Sequence, residues 1–129
     1  MAPPDDLWPD DAFRALPMPT PRQLVLETAS ALTERTGGSL RGEVVSSAQE
    51  NTMNHQFCIL APALDYRKFL FRVYHPVDAM YPAKLWSQSL KQESVAADHD
   101  ALRGLIRNFL ATEPIKKIVS SLLAQATAS

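Results

Sequence analysis

The spacing of apolar positions changes twice along the chain, and the changes divide it into three stretches. From residue 20, Val25, Leu26, Ala29 and Leu32 recur at helical intervals. Thr20-Pro21-Arg22-Gln23 opens this stretch with an N-cap hydroxyl, proline at the first helical position, and glutamine where a capping box needs it. Gly37-Gly38 supplies a left-handed stop. The spacing predicts a helix between these signals.

From Ser39 to about Ser87 the period falls to two. Leu40–Ala48 reads as a strand with Leu40, Gly42 and Val44 on one side. Asn54–Ala61 alternates His55, Phe57, Ile59 and Ala61 against Gln56, Cys58 and Leu60. Arg67–His75 puts Phe69, Phe71 and Val73 inward. Tyr81–Ser87 is a weaker fourth run, and Pro82, which lacks a ladder donor, favours a sheet edge. Short polar turns between the runs predict a consecutive antiparallel meander. Matching the inward faces pairs Phe57 with Phe71 and Cys58 with Leu70.

The last third returns to helical spacing. Asp98 or a neighbour can cap a helix whose stripe is Leu102, Leu105, Ile106, Phe109 and Leu110. Thr112-Glu113-Pro114 breaks it and starts another, with Ile115, Ile118, Val119, Leu122 and Leu123 on one face. The predicted fold is α+β: an N-terminal helix, a four-stranded antiparallel meander sheet, and two C-terminal helices packed on one sheet face.

Composition adds a boundary. Six of the ten prolines fall in the first 21 residues, and residues 1–19 hold four aspartates against one arginine. This reads as a proline-rich acidic arm, residues 1–19, ahead of a single α+β domain, residues 20–129. The arm also carries Leu7, Trp8, Phe13, Leu16 and Met18, more apolar bulk than a solvated tail needs. One expectation is therefore that it docks on the body. No basic start and apolar run mark a secretory signal, and the apolar stretch around Cys58 to Leu64 is far short of the roughly 20 residues a spanning helix needs. With a lone thiol as well, a cytoplasmic chain without membrane contact is expected.

Candidate chemistry is sparse. Gly37-Gly38 is not followed by a phosphate-loop pattern. Asp98-His99-Asp100 is the densest metal candidate, but consecutive helical residues diverge by about 100° and suit a helix start better. His55 lies three positions from Cys58, so on a regular strand the two face opposite ways. Cys58 therefore reads as a structural thiol. No catalytic set, metal or cofactor is expected, which makes an enzyme the weaker expectation.

The face opposite Phe57 and Phe71 is more informative. Alternation gives it Leu60, Lys68, Leu70, Arg72 and Tyr74, with Lys84 and Trp86 from the fourth run. Cations mixed with apolar and aromatic groups on one patch suggest a partner. The leading expectation is a non-enzymatic module that binds another protein through this face, in the manner of an adaptor, chaperone or toxin-neutralising partner, or binds a second copy of itself. One alternative is cover by the acidic arm. A second is a small-molecule or catalytic pocket near His75 and Tyr81. Single-stranded nucleic acid on a basic aromatic sheet is a third, disfavoured by an overall net charge of -1.

Overall fold

The computed structural model describes residues 7–128, so Asp5 and Asp6 of the arm lie outside the described residues. After a 3-10 turn at Asp10–Phe13 come α1 (Pro21–Arg35), β1 (Arg41–Gln49), β2 (Thr52–Ala61), β3 (Tyr66–Pro76), β4 (Ala83–Ser87), β5 (Gln92–Ala96), α2 (His99–Leu110) and α3 (Glu113–Ala128). The class is α+β, and the strands form one antiparallel sheet in sequential order, β1-β2-β3-β4-β5.

The local signals act as their chemistry requires. Thr20 Oγ1 accepts from the Gln23 amide at 3.1 Å while Gln23 Oε1 accepts from the Thr20 amide, so both ends of the capping box close. Gly37 and Gly38 take φ of 60° and 87° to turn the chain into β1. Asp98 caps α2 through a 2.8 Å bond from the Ala101 amide. Gly42 lies under α1 so closely that a Cβ there would sit 2.3 Å from the Ala29 Cα. Only glycine permits that approach of helix to strand.

One core joins the layers. Leu24, Val25 and Ala29 of α1, Phe57 and Phe71 of the sheet, Leu102 and Phe109 of α2, and Ile115 of α3 belong to a single buried cluster. Phe57 and Phe71 stack at 5.0 Å, and Phe109 meets Phe71 edge-on at 5.2 Å.

The structure corrects the expected sheet in three places. The sheet has five strands, not four: β5 pairs with β4 from Ala83↔Ala96 to Ser87↔Gln92. Its residues are largely exposed apart from Ala96, so the run lacks the alternation that marks a strand. With β5 alongside, β4 is interior, and Pro82 sits just before it rather than within an edge strand. The third correction is a bulge. Phe57 pairs with Phe71 as expected, but Cys58 pairs with Phe69, and Leu70 is the extra residue. A one-residue insertion reverses every face beyond it. Leu70 is therefore 1% exposed within the core, and Phe69 stands on the side assigned to Leu70. The Leu70 carbonyl, out of the ladder, accepts from the Gln88 amide at 3.3 Å.

Candidate functional site: a cleft among the helices

The described stretch of the arm, residues 7–19, is exposed throughout. Its most ordered feature is local, with Trp8 and Phe13 rings 5.5 Å apart. Leu70 is buried in the core and so is not among the strand residues that the acidic arm would cover.

Among the described residues one concavity is a cleft of about 710 Å³. Leu24, Thr28 and Leu32 of α1 form one wall, Phe57, Ile59 and Leu70 the floor, and Ile106, Leu110, Ile115 and Val119 of α2 and α3 the other wall. Its existence follows from how the helices are tied. α1 is pinned to β1 through Gly42, and α3 leans on the 3-10 turn at Pro62–Leu64 and on β2, so the two have no substantial contact with each other. The apolar stripes of α1 and α3 thus reach the sheet but do not close over it.

Charge sits at the mouth. Arg35, Arg103, Arg107 and Lys116 are among the lining residues, with Glu27 as the one acid. Arg103 spans to α1 by a two-pronged pair, both guanidinium nitrogens 3.1 Å from the Glu27 carboxylate oxygens. Lys116 is 3.0 Å from Glu113 one turn earlier. Arg35 and Arg107 make no ion pair among the described residues. This is an apolar slot with two unneutralised guanidinium groups at its rim.

A second polar feature lies at the buried end of β2 and β3. Arg22 Nε donates to Ser46 Oγ at 3.1 Å, Ser46 Oγ lies 2.8 Å from His55 Nδ1, and His55 Nε2 lies 3.1 Å from His75 Nε2. His75 Nδ1 faces the carbonyls of Pro76 and Ala79 at 2.8 and 3.2 Å. Carbonyls only accept, so His75 carries a proton on Nδ1. With His75 Nε2 as acceptor, His55 donates from Nε2 and accepts at Nδ1 from the Ser46 hydroxyl, and the whole chain runs one way.

That order imitates a nucleophile, base and orienting group. The electrostatics oppose catalysis. A triad places an anion behind the base to hold its positive form; here burial, then His75 and Arg22, push His55 down to about 4. Neither His75 nor Tyr81 lines any of the cavities described here, although the Tyr81 hydroxyl is buried without a partner. The relay holds strands together; it does not present a base to substrate.

The seven residues expected on one surface divide. Leu70 is on the cleft floor, and Lys68, opposite Ile59 beyond the bulge, lines a separate hollow of about 700 Å³ with Leu64, Tyr66 and residues of α3. Leu60, Arg72, Tyr74, Lys84 and Trp86 do share the other side, where Arg72 pairs with Trp86 and Tyr74 with Lys84 across β3 and β4. The Arg72 guanidinium stands 5.1 Å over the Tyr74 ring, and the Tyr74 hydroxyl donates to Glu93, which also pairs with Lys84 at 3.8 Å. Sequence reasoning missed the cleft cations because each looks like an ordinary last-turn or surface charge. It missed the histidine pair as well, although Phe57 opposite Phe71 already puts His55 diagonal to His75.

Among the described residues no three His, Cys, Asp or Glu side chains converge as a metal site. No helix there is long and apolar enough to cross a membrane. Comparison with protein-family models, curated proteins and solved structures finds no match to this chain.

Proposed function

We propose that this chain is a non-enzymatic binding module whose ligand is an acidic, apolar segment of another protein, held in the cleft among the three helices. The reading retains the expected class of partner and moves the surface. One observation carries it: an apolar slot of about 710 Å³ is rimmed by Arg35 and Arg107, which have no acid of their own among the described residues. The volume lies within the range of ligand pockets. In this reading all three helices stand on the Phe57 face of the sheet, and the slot is the unfilled part of that layer. A segment with apolar residues one helical turn apart would fill it, and carboxylates beside them would meet the arginines. The half-charges at the C-terminal ends of α1 and α2 oppose an anion there but are weaker than two full guanidinium charges.

A photo-crosslinking residue at Ala31, an exposed cleft position, tests this in cells of the source organism. The expected result is a covalent product with an acidic, apolar peptide segment, lost when Arg35→Glu and Arg107→Glu are added. Products that persist unchanged with both charges reversed, or that join a basic segment, overturn it.

A second surface rests on a different observation. On the face of Arg72, Tyr74 and Trp86, Val45 and Val95 are exposed and the Arg72 Nε is buried without a partner. That face is the alternative docking surface, reached by Leu60, Arg72, Tyr74, Lys84 and Trp86. The same crosslinker at Val45 would then capture the partner instead of the one at Ala31.

A further inference from the structure

The cleft and the arm are complementary. The cleft is apolar with a cationic rim; the arm is apolar with an anionic composition. Phe13 and Leu16 are 70% and 64% exposed, and Trp8 and Met18 are exposed with them, beside Asp10 and Asp11. Residues 1–19 carry four aspartates and one arginine, while the rim carries four cations and one acid. Large apolar groups held in water on a short acidic segment need a place to go.

We propose that residues 7–19 are the cleft's own internal ligand, folding back along α1 so that Trp8, Phe13 and Leu16 enter the slot and Asp10 and Asp11 face Arg35 and Arg107. The inference rests on the cleft being the binding site. Reach permits it. The arm joins α1 at Thr20, one turn before Leu24 at the near end of the cleft. From Leu24 to Arg35 the helix runs about 17 Å, and the thirteen residues 7–19 extend to about 43 Å. The chain can therefore reverse at Pro17, Pro19 and Pro21 and still lay Trp8 at the far end. Tethering sets an effective concentration of the order of millimolar, so even a weak intrinsic contact occupies the slot much of the time. The exposed arm of the structure is the released state. A partner with a better acidic, apolar segment displaces it, which makes the arm a built-in threshold against weak or wrong ligands.

The test uses the full chain and anilinonaphthalene sulfonate, an apolar anion, as the cleft probe. Replacing Trp8, Phe13 and Leu16 by Asp frees the slot, and the probe should then bind about two- to fivefold more tightly, because an occupied fraction lowers apparent affinity in proportion. Arg35→Glu with Arg107→Glu should abolish that gain. In a Trp86→Phe background, where Trp8 is the remaining tryptophan, the same charge reversal should increase acrylamide quenching of Trp8 emission. Equal probe binding with and without the arm substitutions, with Trp8 quenching unmoved, overturns the internal ligand while leaving the cleft as the binding site. No probe binding in either form overturns both. Trp8 shielding that disappears on dilution assigns the arm to the cleft of a second copy and overturns the intramolecular form.

Discussion

The two sides of the sheet solve burial by opposite means. The side of Phe57 and Phe71 is packed apart from the cleft, and its buried His55–His75 pair is satisfied link by link down to backbone carbonyls. The side of Arg72 and Tyr74 is woven from charge: Arg67 holds Glu43 at 2.8 Å, and Tyr74 lies between Arg72 and Lys84 with Glu93 on its hydroxyl. Mixed cations and aromatics thus meant opposite things in the two places. On the strands Arg67 and Lys84 have acid partners and Arg72 lies over the Tyr74 ring; at the helix rim Arg35 and Arg107 have neither among the described residues. Composition of a patch is a weaker guide to binding than whether its charges are already paired.

The packed side should fail first. Phe71 is fully buried between Phe57 and Phe109, so Phe71→Ala should cost about 4 kcal/mol in urea unfolding. A loss below about 1 kcal/mol would mean that the helices are not bound to the sheet as described. Gly42→Ala should cost about 3 kcal/mol by forcing α1 from β1. The new Cβ would meet the Ala29 Cα at 2.3 Å and its carbonyl oxygen at 2.7 Å, both backbone. Ala29→Gly should therefore rescue it only in part, because it removes the Ala29 Cβ at 2.6 Å and leaves both backbone clashes.

Acid should find the buried histidines. The folded pKa of His55 is depressed to about 4 from an ordinary 6.5, because burial, His75 and Arg22 all disfavour its cation. Its neutral form is thus the one the fold favours. That contribution is complete above pH 6.5, shrinks as pH falls below it, and is gone once pH passes 4, a loss of at most about 3 kcal/mol. Other groups titrate over the same range, so the measurement is the difference between the chain and His55→Gln in urea midpoints from pH 7.5 to 4. Parallel curves would remove His55 from the account.

The helices, their caps and the β2–β3 pairing at Phe57 were legible because each rests on local chemistry or an unbroken period. Thr20 with Gln23, Gly37-Gly38 and Asp98 need no tertiary information to be read. The bulge at Leu70 was not legible. Arg67–His75 alternates well in sequence, and nothing in it says that one residue will drop out of register and reverse the strand's beginning. β5 was hidden for the reverse reason, since Glu93 and Val95 are exposed and give it little period. The cleft was beyond sequence altogether. It comes from α1 and α3 having no substantial contact with each other, and a missing contact leaves no pattern along a chain.

The smallest effect sharpens the woven side. Tyr74 is pushed up to about 12 by burial first and then by its hydrogen bond to, and the charge of, Glu93, with Arg72 pulling the other way. Its neutral form is favoured in the fold, so its contribution is intact below pH 10 and lost as pH rises through 12. Tyr74→Phe should cost less than about 1 kcal/mol at neutral pH, since a cross-strand hydrogen bond on a wetted face is worth little net. The more telling measurement is absorbance at alkaline pH. Glu93→Gln should lower the Tyr74 titration without restoring it to the ordinary value, because burial remains. A full return to ordinary would make Glu93 the whole cause. No change would mean that Tyr74 and Glu93 are not joined, leaving both groups available to the docking surface this face offers.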